Sequence, residues 1–489
     1  MRGLRDYFNQ VSYELMNVII TLIPLAYLAH VLGNIGLGVA ALAIGTAELL
    51  ILLLMSPTAF YGQWHLSNHR NEISADAPIF WNTMLIHLLM SLVAGAGLIA
   101  IIWFGQSNQT FELYHYPLAL SALLILGSLL DISWYFIGTG HHLKAILQSS
   151  STKIVFLMLI LIVVKQSGDA DAYILLVGVM RIFGNSILWF QLPKHIFTRV
   201  QLHPWQYLSG IFLIATSVFG VELYTLVGRL IVPFFHNDVE SWLGYYSAAL
   251  SLNQVAIVLV ATIGMSTMPR FYRIYRQNDY AKLIEHIDNA VESVTAFAVP
   301  LMFGTAATAV TFTTWFLGPD FREVGLMMAM LSPLILLLGW NTILGGQFLR
   351  LAQRSQVMTL TLIMGFIINL GLDFLLIPRY GLFGAIYAVI IAELSIFGVQ
   401  LFFARDVIAF GRIVVLTSKY IVNGLFMYLV IVVSSTNMTA IPSTTVFQLF
   451  IGIVVYVIGI LLLRSNLVDK TWQIAYEYWA FIRQKSHKN

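Results

Sequence analysis

The chain has 489 residues, 59% of them hydrophobic and only 10% charged, with a net charge of +3 and a mean hydropathy of +0.82. A soluble domain carries about 25% charged residues, so the composition excludes an ordinary water-soluble protein and points to an all-α polytopic membrane protein. No cysteine is present, which excludes disulfides, thiolate metal sites and cysteine nucleophiles.

A membrane-spanning helix needs roughly 20 mainly apolar residues. By that measure the chain reads as about fourteen spans: 11–32, 35–60, 78–104, 114–137, 151–166, 169–192, 206–232, 239–268, 289–315, 323–349, 355–377, 382–404, 413–434 and 441–464. Residues 1–10 lead straight into the first span with no small-residue cleavage pattern, so that helix is expected to stay as a signal anchor. The fifth span is short. Pro57 and Pro269 mark the ends of the second and eighth spans, each before a polar loop. In the eleventh, Pro378 is expected to stop the helix at Ile377, while Gly381 and Gly384 let the backbone reverse into the twelfth.

Lysine and arginine set the expected direction. With the N-terminus inside, 21 of the 26 fall on inner loops and helix ends; Lys165, Arg322 and Arg379 fall outside, and Arg181 and Arg229 lie within helices. The positive-inside rule then places both termini in the cytoplasm. The outer loops are short. Residues 270–289 and 465–489 mix aromatic, aliphatic and charged residues, and read as amphipathic helices on the inner surface.

The chain also repeats itself at an offset of about two hundred residues. GLGVAAL (36–42) answers WLGYYSAAL (242–250), GTGHHLKA (138–145) answers GGQFLRLA (345–352), and IFG (182–184) answers IFG (396–398). Six helices per copy makes these parallel repeats, with a cavity expected between them. The expected organisation is a six-helix lobe at 1–200, a second at 201–407, and two extra helices with an amphipathic tail at 408–489.

These residues resemble a known family. LGxxxxG at 32–38, GYYSAA at 244–249, Pro269-Arg270, DxxWxxxG at 131–138 and IPRYGLFGAIYAVIIAEL at 377–394 are similar to the polysaccharide flippases of the Wzx type. Those flippases belong to the multidrug/oligosaccharidyl-lipid/polysaccharide exporter superfamily. Three positions depart from the pattern: His30 where an arginine is common, Asp373 where an asparagine is common, and Gly228-Arg229 where an acid–arginine pair is expected. The resemblance implies outward movement of an undecaprenyl-pyrophosphate-linked oligosaccharide across the bacterial cytoplasmic membrane by alternating access. It implies lipid-linked oligosaccharide and membrane lipids as partners, together with a polysaccharide polymerase and assembly proteins. A lipid II flippase and a cation-coupled drug or metabolite antiporter of the same superfamily are the alternatives. No cofactor, catalytic group, metal or nucleic acid is expected, and a proton or sodium gradient or the membrane potential would drive the cycle.

Charges within hydrocarbon are costly and mark function or pairing. Arg229 and Arg181 are candidates for a cationic pyrophosphate site, because the guanidinium fork matches phosphate oxygens; His30 could add to its rim or simply cap helix 1. Arg181 could equally be a structural ion pair. Glu48, Asp131, Glu222 and Glu393 are candidates to carry a coupling proton or ion, or to be acids paired between packed helices. His87 reads as a packing histidine. Glu292 and Asp373 are expected at helix ends, in the interface.

Overall fold

Hydrocarbon offers no water to the backbone, so each amide must be satisfied within its own helix. A computed structural model describes the backbone of residues 2–70, 72–105, 114–218, 221–232, 235, 239–277, 279–350, 354–406, 408 and 410–463. Within these, the side chains of 2–21, 214, 216–222, 239–240, 265–266, 269–270, 276 and 355 lie outside the description. The described residues form helices and turns and no strand. In chain order the helices are α1 (Arg2–Leu50), α2 (Ser56–Asn68), α3 (Ile73–Gly105), α4 (His115–Leu129), α5 (Ser133–Gly138), α6 (His142–Val163), α7 (Ala170–Trp189), α8 (Leu208–Val218) and α9 (Val221–Ile231). There follow α10 (Val239–Ser266), α11 (Met268–Arg276), α12 (Tyr280–Phe316), α13 (Arg322–Leu331), α14 (Pro333–Asn341), α15 (Ser355–Tyr380), α16 (Leu382–Phe403), α17 (Phe410–Ser435) and α18 (Pro442–Leu462). Two stretches are π-helical, Ile51–Met55 and Thr342–Leu349.

Twelve helical segments among the described residues are long and apolar enough to cross a membrane. The first, Leu22–Asn68, is 47 residues long, about 70 Å at 1.5 Å per residue and twice what a bilayer requires. It holds the end of the first expected span and all of the second, and Gly33, at φ 69, breaks the helix between them. The expected seventh span is made of α8 and α9, each 11 residues long. The fifth is longer than its apolar run suggested, because α6 starts at His142 and takes in Lys144 and Gln148.

Where the sequence led us to expect a stop at Ile377, α15 continues to Tyr380 with Pro378 in its last turn. The chain turns instead at Gly381, φ 58, whose N–H bonds the Ile377 carbonyl at 2.8 Å. A left-handed residue at this point favours glycine, which has no Cβ penalty. Gly384 serves a different purpose: a Cβ there would lie 2.6 Å from backbone atoms of Leu376, so the two helices meet only over a hydrogen.

The chain packs as two compact units, Tyr13–Ala248 with Thr359–Ala392, and Met1–Ser12 with Ala249–Met358 and Glu393–Asn489. In the first, Phe80 lies between Trp134, Tyr135 and Trp189, joining α3, α5 and α7. His87 is satisfied on both nitrogens, by Thr58 and by the Ser128 carbonyl, as a packing histidine should be. In the second, α12 packs along α17 and α18 around Val291, Val294, Val299, Met427 and Tyr456. Glu292, expected at the interface, is buried there instead. α12 begins at Tyr280, about three turns before Glu292, so the carboxylate reaches α17 and takes Lys419 as a partner at 2.7 Å.

Candidate functional site

In the first unit, α9 carries Arg229 two residues before its end. Its Nε is buried without a hydrogen-bond partner, and no carboxylate among the described residues forms an ion pair with it. Tyr246 of α10 lies in electrostatic reach of both Arg229 and Asp373 of α15. Asp373, expected in the interface, is 1% exposed. The reason is the extra turn past Pro378, which sets Asp373 about two turns inside α15. Its Oδ1 has no partner, while Asn369, one turn earlier, donates to Oδ2 at 2.9 Å with its amide so oriented. The carboxylate lies against α9 beside Gly228, where a Cβ would sit 3.4 Å from Asp373 Oδ2, an ordinary contact. The result is a guanidinium with an unused donor, a tyrosine ring beside it, and an acid held by an amide. An arginine with a free donor in low dielectric attracts an anion with several oxygens.

Arg181, by contrast, is spoken for. From α7 its Nη1 and Nη2 donate to Glu48 Oε1 and Oε2 at 2.6 and 3.4 Å, and both side chains are about one-third exposed. Glu48 stands one turn before the π segment Ile51–Met55, and Pro57 follows that segment near the start of α2. Asp131 sits in the break between α4 and α5, where its Oδ1 accepts from the Ser133 N–H at 2.8 Å. This i to i+2 bond is an Asx turn, a local structural role for the aspartate. His30 is exposed and its Nδ1 bonds the Ala26 carbonyl at 2.8 Å, one turn back on its own helix. Glu222 and Pro269 lie on α9 and α11, with side chains outside the described residues.

In the second unit, Glu393 is 1% exposed on α16 and accepts from Asn341 Nδ2 at 2.5 Å. Beside this pair Trp340 stacks on Phe397 with centroids 4.9 Å apart, and donates to Thr295 Oγ1 at 2.9 Å. The sequence singled out Glu393, Arg229, Arg181 and Glu48, and the structure brings the last two together. It did not single out Tyr246, Asn369 or Asn341. For Asn369 a signal existed: it stands four residues before Asp373, on the same helix face. Tyr246 and Asn341 have no local signature, because their partners come from distant helices.

No protein-family model matches the chain. A curated relative from Shigella dysenteriae, described as "Putative O-antigen transporter", is 23% identical over 365 residues, covering 71% of this chain and 87% of the relative. Among solved structures, a lipid II flippase, MurJ, in an inward closed conformation aligns with TM-score 0.63 at 15% identity, over 91% of this chain and 99% of that one. An inward-facing multidrug resistance MATE family transporter of the MOP superfamily aligns with TM-score 0.55 at 14% identity, over 83% and 99%. The chain is thus a multi-pass membrane protein with the fold of the multidrug/oligosaccharidyl-lipid/polysaccharide exporter superfamily, and its resemblance to the polysaccharide flippases is borne out in sequence by the O-antigen transporter relative.

Proposed function

We propose that the chain flips an undecaprenyl-pyrophosphate-linked oligosaccharide from the inner to the outer leaflet of the bacterial cytoplasmic membrane by alternating access. The observation that carries this reading is Arg229, a guanidinium with no ion pair among the described residues and an unused buried donor. A cation left without an anion in low dielectric is costly; a pyrophosphate bridging into the bundle would satisfy it. The relative named as an O-antigen transporter supports the same substrate class. Arg181, held by Glu48, contributes to the site only if the substrate competes for it. The polyprenyl tail would stay in lipid while the headgroup crosses, drawn by a proton or sodium gradient or by the membrane potential. The polymerase and assembly proteins expected downstream belong to this reading as well.

The test is transport of fluorescent undecaprenyl-pyrophosphate-oligosaccharide in proteoliposomes, wild type beside Arg229→Ala. Wild-type flipping, with loss in a monodisperse Arg229→Ala protein, is the expected result. Flipping by both proteins would keep the activity and remove Arg229 as its anchor. No flipping under imposed proton, sodium and potential gradients would sink the reading in favour of the antiporter.

A further inference from the structure

Glu393 lies about half-way along α16, a helix otherwise almost wholly apolar, and is buried in the second unit. A carboxylate at such a depth needs a reason. Its polar partner is Asn341, the last residue of α14, which donates to Oε2. Among the described residues no charged side chain acts on Glu393. At the other end of the same amide, Asn341 Oδ1 is buried with no hydrogen-bond partner. Directly after Asn341 the helix widens into the π segment Thr342–Leu349, whose Gln347 accepts from Thr267 Oγ1 at 3.0 Å. Such wide turns are rare and recur at functional sites.

An amide donates through its nitrogen and accepts through its oxygen. Toward an ionised carboxylate it must present N–H, the arrangement found here. A protonated carboxyl is itself a donor, and the same amide turned half-way round would meet it with Oδ1, the atom now without a donor. One side-chain rotation therefore satisfies Glu393 in either protonation state. No group of three or more His, Asp or Glu side chains suited to a metal exists among the described residues.

We propose that Glu393 and Asn341 form the proton-binding site of the transport cycle, with Asn341 reversing its amide as Glu393 takes up and releases a proton. The proton arrives from water on one side of the membrane and leaves to water on the other, with no other bond made or broken. Its use in transport rests on the reading above; its titration does not. The neighbouring π segment is the element that would register the reversal, because Asn341 is its first anchoring residue.

Two measurements test this. Infrared difference spectra of the purified chain across a pH titration should show a protonated-carboxyl band that is absent in Glu393→Gln and displaced in Asn341→Leu. In proteoliposomes Glu393→Gln should lose accumulation driven by a pH difference. An unchanged band in Glu393→Gln, pH-driven accumulation by that variant, or a band that responds to sodium in place of pH would overturn the proposal. Should Glu393→Gln fail to fold, the displaced band in Asn341→Leu decides alone. A titrating band in a chain that flips no lipid-linked oligosaccharide would keep the proton site and discard the flippase reading.

Discussion

Lys419 of α17 reaches Glu292 of α12 at 2.7 Å, and the neighbouring Tyr420 hydroxyl donates to the same carboxylate oxygen at 2.9 Å. One turn earlier on α12, Asp288 pairs with Arg412. The two acids are spaced i, i+4 and share a face, so two ion pairs hold α17 along α12.

Breaking the inner pair should therefore destabilise the protein more than removing it whole. Glu292→Gln leaves Lys419 only a quarter exposed and without its counter-charge, at a cost of about 3–5 kcal/mol for a buried pair. The double variant Glu292→Leu with Lys419→Met should lie much closer to wild type. Thermal unfolding in one detergent, read by fluorescence, ranks the three proteins. Equal losses in single and double variants would show that the pair does not bear on stability.

The Arg181–Glu48 pair is partly exposed, so its worth is smaller, about 1 kcal/mol in a double-mutant cycle. Exchanging the charges, Arg181→Glu with Glu48→Arg, should restore most of the stability lost in either single variant. If transport also returns, the pair is structural. If stability returns without transport, the sign of the charge at 181 matters to the substrate.

An ion pair outside the spans sets a pH dependence. Arg354 donates to Asp406 at 2.8 and 3.2 Å and to the Phe403 carbonyl at 2.7 Å. The guanidinium holds the Asp406 carboxyl below the usual aspartate range. The unfolded chain then binds the proton first, so this stability is present above the ordinary value of about 3.9. It fades as pH falls through the lower folded value. Wild type should melt above Asp406→Asn at about pH 6 and converge with it below about pH 3. The gap stays small because the carboxylate is half exposed. A constant gap across that range would remove Asp406 as its source.

The turn between α15 and α16 gives a steric prediction. Gly381→Ala takes on backbone strain at φ 58, roughly 1–2 kcal/mol for a left-handed residue with a Cβ. Gly384→Ala drives its methyl into the backbone of Leu376, which cannot rotate away, and so must separate the two helices. Gly384→Ala should give the larger fall in melting temperature and in monodisperse yield. The opposite order would mean that the turn, not the helix contact, limits the fold.

The chain itself determined the membrane architecture, because spanning is a local requirement that some twenty apolar residues meet without reference to the rest. The broken helix at Gly33 and the turn at Gly381 were legible for the same reason: glycine in a left-handed conformation is a property of one residue. Pro378 misled: it costs the helix one N–H bond to the carbonyl four residues back, yet α15 runs on through it to Tyr380, and Asp373 is buried where the interface was expected. Pairing was decided by tertiary structure. Glu48 and Arg181 are 133 positions apart, and Glu393 and Asn341 are 52 apart. Whether a buried charge is neutralised depends on which distant helix faces it, and hydropathy carries no record of that. For this reason the sequence named both Arg181 and Arg229 as candidates and left an ion pair open for Arg181, while packing gave Arg181 a carboxylate and left Arg229 without one among the described residues.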